Sequence, residues 1–187
     1  SHTFYTQHTE EFYDFYKNKM IFLDAKPNKA HLKLAEMERA GKLSAIVTQN
    51  IDGLHQAAGS KNVFELHGSV HRNYCQKCGK FFDVNYVVNA KGVPYCDECG
   101  GIIKPDVVLY EEGLDSQTIN GAVRAISKAD MLIIGGTSLV VYPAAGMIDY
   151  FKGKYLAVLN RDATSRDKQA DLCITDPIGE VLGRIRV

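Results

Sequence analysis

Four cysteines in two Cys-x-x-Cys pairs, Cys75/Cys78 and Cys96/Cys99, stand with seventeen residues between the pairs. Each pair lets two thiolates reach one ion from a tight turn, and two such turns complete a tetrahedral site with no position left for water. The chemistry predicted is structural Zn2+ binding, one ion per chain, and not Lewis-acid catalysis. Two disulfides are the competing reading, but a Cys-x-x-Cys disulfide closes a very small loop, and nothing in the first residues reads as a signal peptide. Gly79 and Gly100-Gly101 follow the second cysteine of each pair, where the backbone must curl, often through positive φ, so that its amides face the sulfurs. Cys173 stands alone in an apolar stretch and reads as a small buried hydrophobe.

Shortly before the cysteines lie a polar run, Thr48-Gln49-Asn50-Ile51-Asp52-Gly53-Leu54-His55, and a solitary Glu65-Leu66-His67-Gly68. His67 falls between a predicted strand and the cysteine-rich stretch, where a loop can present its imidazole to a cleft as a general base. Taken singly, His67 reads more readily as a satisfied structural histidine than as a base, and Asn50 and Asp52 can be caps of a turn. Further along, Gly135-Gly136-Thr137-Ser138 follows one apolar run and Asn160-Arg161 follows another. Small residues and hydroxyls just past a parallel strand let a ligand approach the backbone, and an Asn at a neighbouring strand end can bond a ribose hydroxyl, which resembles half of a nucleotide site. A plain strand-to-helix turn uses the same Gly-Gly-Thr-Ser residues, so the combination carries the argument, not any one motif.

These groups need elements to position them. Phe12, Phe15, Tyr16, Met20 and Leu23 recur at helical spacing between Glu10 and Leu23, with the aromatic stripe expected in the core and Pro27-Asn28 ending the pattern. Leu32, Leu34, Ala35 and Met37 predict a second helix over 30–40, with Gly41 beyond its end. Ser44–Val47, Val107–Tyr110, Met131–Ile134 and Tyr155–Leu159 read as strands, with a helix over 116–127 between the second and third. Strand, helix, strand at this rhythm predicts an α/β fold, a doubly wound (Rossmann-like) parallel sheet over 1–73 and 103–187. The stretch 74–102, rich in Cys, Gly and Lys, reads as a small zinc-ribbon module inserted into it and held by metal rather than by a core.

The chain of 187 residues has 22 Lys and Arg against 22 Asp and Glu, so no broad electrostatic footprint for nucleic acid or an anionic membrane is expected. No apolar run is long enough to span a bilayer, and thiolate ligands suit a reducing compartment, so the expected location is cytoplasmic.

Thr48–His55, Glu65–Gly68, the four cysteines, Lys104-Pro105-Asp106-Val107-Val108, Gly136-Thr137-Ser138-Leu139 and Asn160 occur in the order found in sirtuins, and the chain from about residue 12 onward resembles that family of NAD-dependent protein deacylases. The resemblance implies a protein lysine deacetylase with NAD+ as co-substrate and acyl-lysine proteins or peptides as partners. In sirtuins the acyl-lysine lies in a tunnel between the α/β domain and the zinc module, and its amide oxygen attacks the anomeric carbon of NAD+ as nicotinamide leaves. By resemblance, Asn50 and Asp52 line the nicotinamide pocket, Ile51 shapes it, and Gln49 contacts the nicotinamide ribose. His67 becomes the base acting on a ribose hydroxyl, a task suited to an imidazole. Gly136, Thr137, Ser138 and Asn160, with Arg161 and Asp176, hold the adenosine half. Val107 on one side, and Leu139, Val140 and Val141 on the other, pair with the substrate backbone as an added strand, so that many peptide sequences are accepted.

The pattern departs from the family in three places. Sirtuins begin with a strand, a Gly-Ala-Gly-x-Ser loop and a Pro-Asp-Phe-Arg segment, and this sequence starts after all three. They are expected in the intact protein, as a lid that is mobile while the NAD+ site is empty, because a sheet without its first strand leaves a hydrophobic edge open. Tyr110-Glu111-Glu112 stands where sirtuins often have Phe-Gly-Glu, which exchanges a flexible glycine beside the substrate channel for a carboxylate. Sirtuins that take succinyl or malonyl groups carry Tyr-x-x-Arg on the helix before Pro-Asn. Here Tyr13 is followed by Tyr16 and Lys19 with no Arg, which favours a neutral acyl group such as acetyl. The rival functions are ADP-ribosyl transfer to protein, a non-catalytic zinc-ribbon binding module, and a catalytically dead fragment.

Overall fold

A computed structural model describes residues 1–187. The elements run α1 (His2–Gln7), α2 (Thr9–Lys19), α3 (Lys29–Arg39), β1 (Ile46–Thr48), α4 (Leu54–Ala57), β2 (Val63–Glu65), β3 (Gly68–Cys75), β4 (Phe81–Phe82), α5 (Val84–Asn89), β5 (Ile103–Val107), α6 (Ser116–Lys128), β6 (Met131–Gly135), β7 (Tyr155–Leu159), β8 (Leu172–Ile174) and α7 (Ile178–Gly183), with 3-10 turns at Ala144–Tyr150 and Asp167–Gln169. The helices start where side chains can cap them: Asn28 accepts from the amides of Ala30 and His31, Asp83 from Tyr86, and Asp115 from Thr118.

The elements group into two units. The first comprises Ser1–Ala25, Gln49–Gly53 and His67–Leu114. Its sheet is antiparallel, in the order β4-β3-β5. Along β5 the buried residues alternate as Ile103, Pro105 and Val107, the signature of a strand with one face on a core. That core is aromatic at one end, where Tyr5, Phe12, Tyr13 and Tyr16 join Val70, Phe82, Val87, Ile103 and Leu109. Phe12 stacks on Tyr16 and meets Tyr13 edge-on, with centroids 5.6 and 5.3 Å apart. Such pairs add about 0.5–1.5 kcal/mol each beyond their buried area. The stretch expected to be held by metal alone therefore shares a hydrophobic core with α1 and α2. A shift of register between Ser69 and Asn73 bulges β3, and the fully buried Asn73 amide donates there to the carbonyls of Val70 and Phe82 at 3.2 and 3.3 Å.

The second unit comprises Lys26–Thr48, Leu54–Leu66 and Asp115–Val187. Its strands are all parallel, β1 with β2 and β6-β7-β8 in that order. Leu156, Ala157, Val158 and Leu159 are buried in succession along the central strand β7, as expected of a parallel strand covered on both faces. Ala30, Leu159 and Leu182 form one cluster and Ile134, Leu156 and Val158 another. The α/β class with parallel strands and a metal-binding module is the fold observed.

Four local expectations are corrected. Val107–Tyr110 is not a strand of the parallel sheet: β5 starts earlier, ends at Val107 and pairs antiparallel with β3, because the buried alternation begins at Ile103. Phe15 and Leu32 face solvent at 56% and 53% exposure, while Tyr13 and Ala30 take the buried positions of their helices. Leu23 lies beyond α2 and is also exposed. Cys173 is exposed, as is its neighbour Leu172 on the same edge strand β8.

Candidate active site

The four cysteine sulfurs lie within 4.8 Å of one another, at 3.4 Å for Cys75–Cys99 and 3.7 Å for Cys78–Cys96. A zinc tetrahedron with bonds of about 2.3 Å has sulfur–sulfur edges of about 3.8 Å, so the donor set fits a structural zinc ion, and no disulfide joins any of the four cysteines. The two turns are built alike, with Gly79 N–H donating to Cys75 O at 2.9 Å and Gly100 N–H to Cys96 O at 3.0 Å. Both glycines have the expected positive φ, +75° and +68°. Gly101 is required for space: a Cβ there would fall 2.7 Å from Lys77 Cβ and 2.8 Å from Cys75 Sγ. Sequence reading passed over Lys80, whose Nζ donates to Asp97 and Glu98 at 2.8 Å each, tying one turn to the other. Those two bonds hold its ammonium above the ordinary lysine pKa.

In the same unit, the Gln49–Gly53 loop lies against the start of β3. His67 Nδ1 is 3.1 Å from the carbonyl of Gln49. A carbonyl can only accept, so Nδ1 carries the proton and Nε2 is the basic nitrogen of the neutral ring. Val70 N–H donates to Ile51 O at 3.0 Å, and His71 Nε2 to Asp52 O at 3.1 Å. His67, Gln49, Ile51 and Asp52 are half-buried and Asn50 is exposed. On the other side of His67, its own carbonyl accepts from Val108 N–H at 3.0 Å, and Gly68 pairs with Val107 across to β5. Gly68 has φ +76°, and a Cβ there would fall 1.8 Å from the carbonyl oxygen of Asp106. The Gly of Glu-Leu-His-Gly is thus what lets the histidine-bearing backbone press against β5. Arg72 Nε donates to Asp106 at 2.7 Å beside this contact.

The segment after Val107 is held in turn. Lys104 Nζ donates to Val107 O at 3.2 Å and to Glu112 at 3.1 Å, and the same carboxylate accepts from Leu109 N–H at 2.8 Å. Burial pushes the Glu112 carboxyl up, but the Leu109 amide, His2 and Lys104 together hold it below the ordinary range. Glu111, where a glycine was expected by resemblance, does adopt a left-handed backbone, φ 80°. Its carboxylate accepts from the Thr3 amide and hydroxyl at 2.8 and 2.7 Å, which offsets the conformational cost. Tyr13 and Tyr16 are fully buried, and the Tyr13 hydroxyl donates to Ile103 O.

In the second unit the remaining candidates sit together at the carboxyl ends of adjacent parallel strands. Gly136 (φ +61°) follows β6, and its N–H donates to Leu159 O at 3.2 Å. Asn160 and Arg161 follow β7, and Asn160 N–H donates to Ile174 O at 3.1 Å, while Asp176 stands two residues past β8. The Asn160 side chain donates to Asp162 O at 2.8 Å, and Thr137 Oγ1 accepts from Leu139 N–H at 3.2 Å. Ser138, Val140, Arg161 and Asp176 are exposed, and Leu139–Val141 is irregular backbone with Leu139 at φ 55°. A row of strand ends bearing small, hydroxyl and amide residues can take a nucleotide.

Residues 1–143 match the model of the Sir2 family. An NAD-dependent protein deacetylase of Clostridium acetobutylicum is 66% identical over 183 residues, covering 97% of this chain and 75% of that protein. The NAD-dependent protein deacetylase of Cutibacterium acnes is 52% identical over 186 residues, covering 100% of this chain and 76% of that protein. Among solved structures, a Sir2–p53 peptide–NAD+ complex superposes with a TM-score of 0.92 at 40% identity, covering 98% of this chain and 79% of the other. Sir2 in complex with the inhibitor EX-527, 2'-O-acetyl-ADP-ribose and a deacetylated p53 peptide gives 0.91 at 42% identity, covering 98% and 81%. The chain belongs to the Sir2 family, the sirtuins.

Proposed function

We propose that the protein is an NAD-dependent protein lysine deacetylase that transfers the acyl group of acyl-lysine peptides to ADP-ribose and releases nicotinamide. The observation that carries this reading is the His67 Nδ1 bond to Gln49 O, at 3.1 Å, which leaves Nε2 to accept a proton and links the base to the polar loop. Bound NAD+ would supply the electrophilic anomeric carbon for the acyl amide oxygen. Asn50 and Asp52 bind nicotinamide in this reading, Ile51 shapes its pocket, and Gln49 contacts the adjoining ribose. His67 Nε2 takes the proton of a ribose hydroxyl. Gly136, Thr137, Ser138, Asn160, Arg161 and Asp176 hold the adenosine half, which the strand-end geometry supports.

The peptide is bound through its backbone by Val107 and by Leu139–Val141 in this reading, as an added strand. A neutral acyl group is preferred, since Tyr13 and Tyr16 are buried in an aromatic core and no Arg follows them. In this reading the Rossmann-like NAD+-binding domain spans 1–73 and 103–187, and the zinc-binding module spans 74–102. No helix is long and apolar enough to cross a membrane, and the four thiolates suit the reducing cytoplasm.

The test is turnover of an acetyl-lysine peptide with and without NAD+, following nicotinamide release, with a succinyl peptide in parallel. His67→Ala is expected to abolish turnover at unchanged zinc content. Full activity in His67→Ala, or transfer of labelled ADP-ribose to protein without loss of acetyl, would overturn the assignment.

A further inference from the structure

The start of β3 grips the Gln49–Gly53 loop at more points than the histidine of Glu-Leu-His-Gly accounts for. Going along the strand, His67 Nδ1 meets Gln49 O at 3.1 Å, Val70 N–H meets Ile51 O at 3.0 Å, and His71 Nε2 meets Asp52 O at 3.1 Å. The third bond is a side-chain bond from a residue that no motif singled out. Because a carbonyl only accepts, His71 presents Nε2–H. Ser69 Oγ accepts the His71 amide at 3.2 Å and helps orient the backbone there. Gly53 closes against the ring from the loop side, where a Cβ would fall 2.7 Å from Cδ2 and 3.0 Å from Nε2. The imidazole is therefore both hydrogen-bonded to the loop and packed on its last residue.

We infer that His71 is a positioning residue, which keeps the Asn50–Asp52 stretch in register with His67 and so sets the affinity for the nicotinamide end of NAD+. The inference rests on the reading of Asn50 and Asp52 as nicotinamide-binding. His67 and His71 sit at the two ends of one ladder of carbonyl contacts, so displacing the far end tilts the loop relative to the base. The peptide-pairing residue Val107 lies on β5, which Gly68 and Val108 hold without His71. Loss of His71 is felt by the dinucleotide and not by the peptide.

Two substitutions separate the hydrogen bond from the packing. His71→Phe keeps a ring against Gly53 but has no donor, whereas His71→Gln places an amide N–H near the position of Nε2. His71→Phe is expected to raise KM for NAD+ about fivefold, the equivalent of one neutral hydrogen bond, with KM for acetyl-peptide unchanged within twofold. Amide hydrogen exchange over residues 50–53 should quicken by a similar factor, and His71→Gln should recover both readouts. Unaltered exchange at 50–53 in His71→Phe overturns the inference. So does faster exchange with both KM values unchanged or raised together, which makes the residue structural only. Wild-type protein that shows no NAD-dependent deacetylation sinks the functional reading instead, and the exchange data still decide whether His71 holds the loop.

Discussion

Replacing Gly68 with Ala tests how the histidine-bearing backbone is seated. The added Cβ would stand 1.8 Å from Asp106 O and 2.8 Å from the carbon of the same carbonyl, and since both are backbone atoms no rotamer change relieves the overlap. The φ of +76° adds the left-handed penalty of an L-residue, about 1–2 kcal/mol. To clear the carbonyl, β3 and β5 must part by more than an ångström. That breaks the bond from Val108 N–H to His67 O, 3.0 Å long, and leaves partly buried groups unsatisfied, at about 1–3 kcal/mol. The expected loss is about 2–5 kcal/mol, a large part of a typical stability of about 5–15 kcal/mol. For a chain of this size it corresponds to a fall in Tm of roughly 4–20 °C. Gly92→Ala supplies the control, because Gly92 shares a positive φ, +66°, but nothing lies within 4 Å of a Cβ built there. It should show the conformational penalty alone. Thermal and urea unfolding of the two variants, with zinc content measured on each, make the comparison. A Gly68→Ala protein as stable as Gly92→Ala would refute the reasoning from close approach.

Cys75→Ser should cost the zinc and much of the packing of the first unit, because Cys75 is both a candidate ligand and a member of the Tyr13–Ile103 core; metal analysis with near-UV circular dichroism reads it, and a variant that keeps one zinc per chain would remove Cys75 from the donor set. In the second unit, the Asn62 and Lys61 amides hold the Glu38 carboxyl below its ordinary range, at 2.8 and 2.9 Å. A depressed carboxylate contributes stability that is present above the unfolded pKa, about 4.3, and lost as pH falls through the folded value. Urea midpoints of wild type should therefore fall more steeply below about pH 5 than those of Glu38→Gln, and parallel curves would disprove that linkage.

Much of the site could be read from the chain because the signals are local. Two Cys-x-x-Cys turns fix four sulfurs by spacing alone, and the glycines behind them announce the positive φ that the structure has at Gly79 and Gly100. Apolar runs at 131–134 and 155–159 are strands in fact, the first extending to Gly135, and Gly136 and Asn160 stand at neighbouring strand ends because the two strands pair parallel and in register. The order of motifs sufficed for the family. Periodicity says that a residue is apolar-facing but not which partner covers it. Phe12, Tyr13 and Tyr16 of α2 became the core beside the cysteines, the strand ending at Val107 joined β3 antiparallel, and Phe15 and Leu32 turned outward. The proton position on His67 and the grip of His71 on Asp52 O depend on carbonyls eighteen and nineteen residues away. Hydrogen bonds of that kind arise only once a bulged strand and a loop are brought side by side, so sequence by itself supplied the candidate ligands and candidate reacting residue types, and tertiary packing alone decided which of their atoms are held by hydrogen bonds.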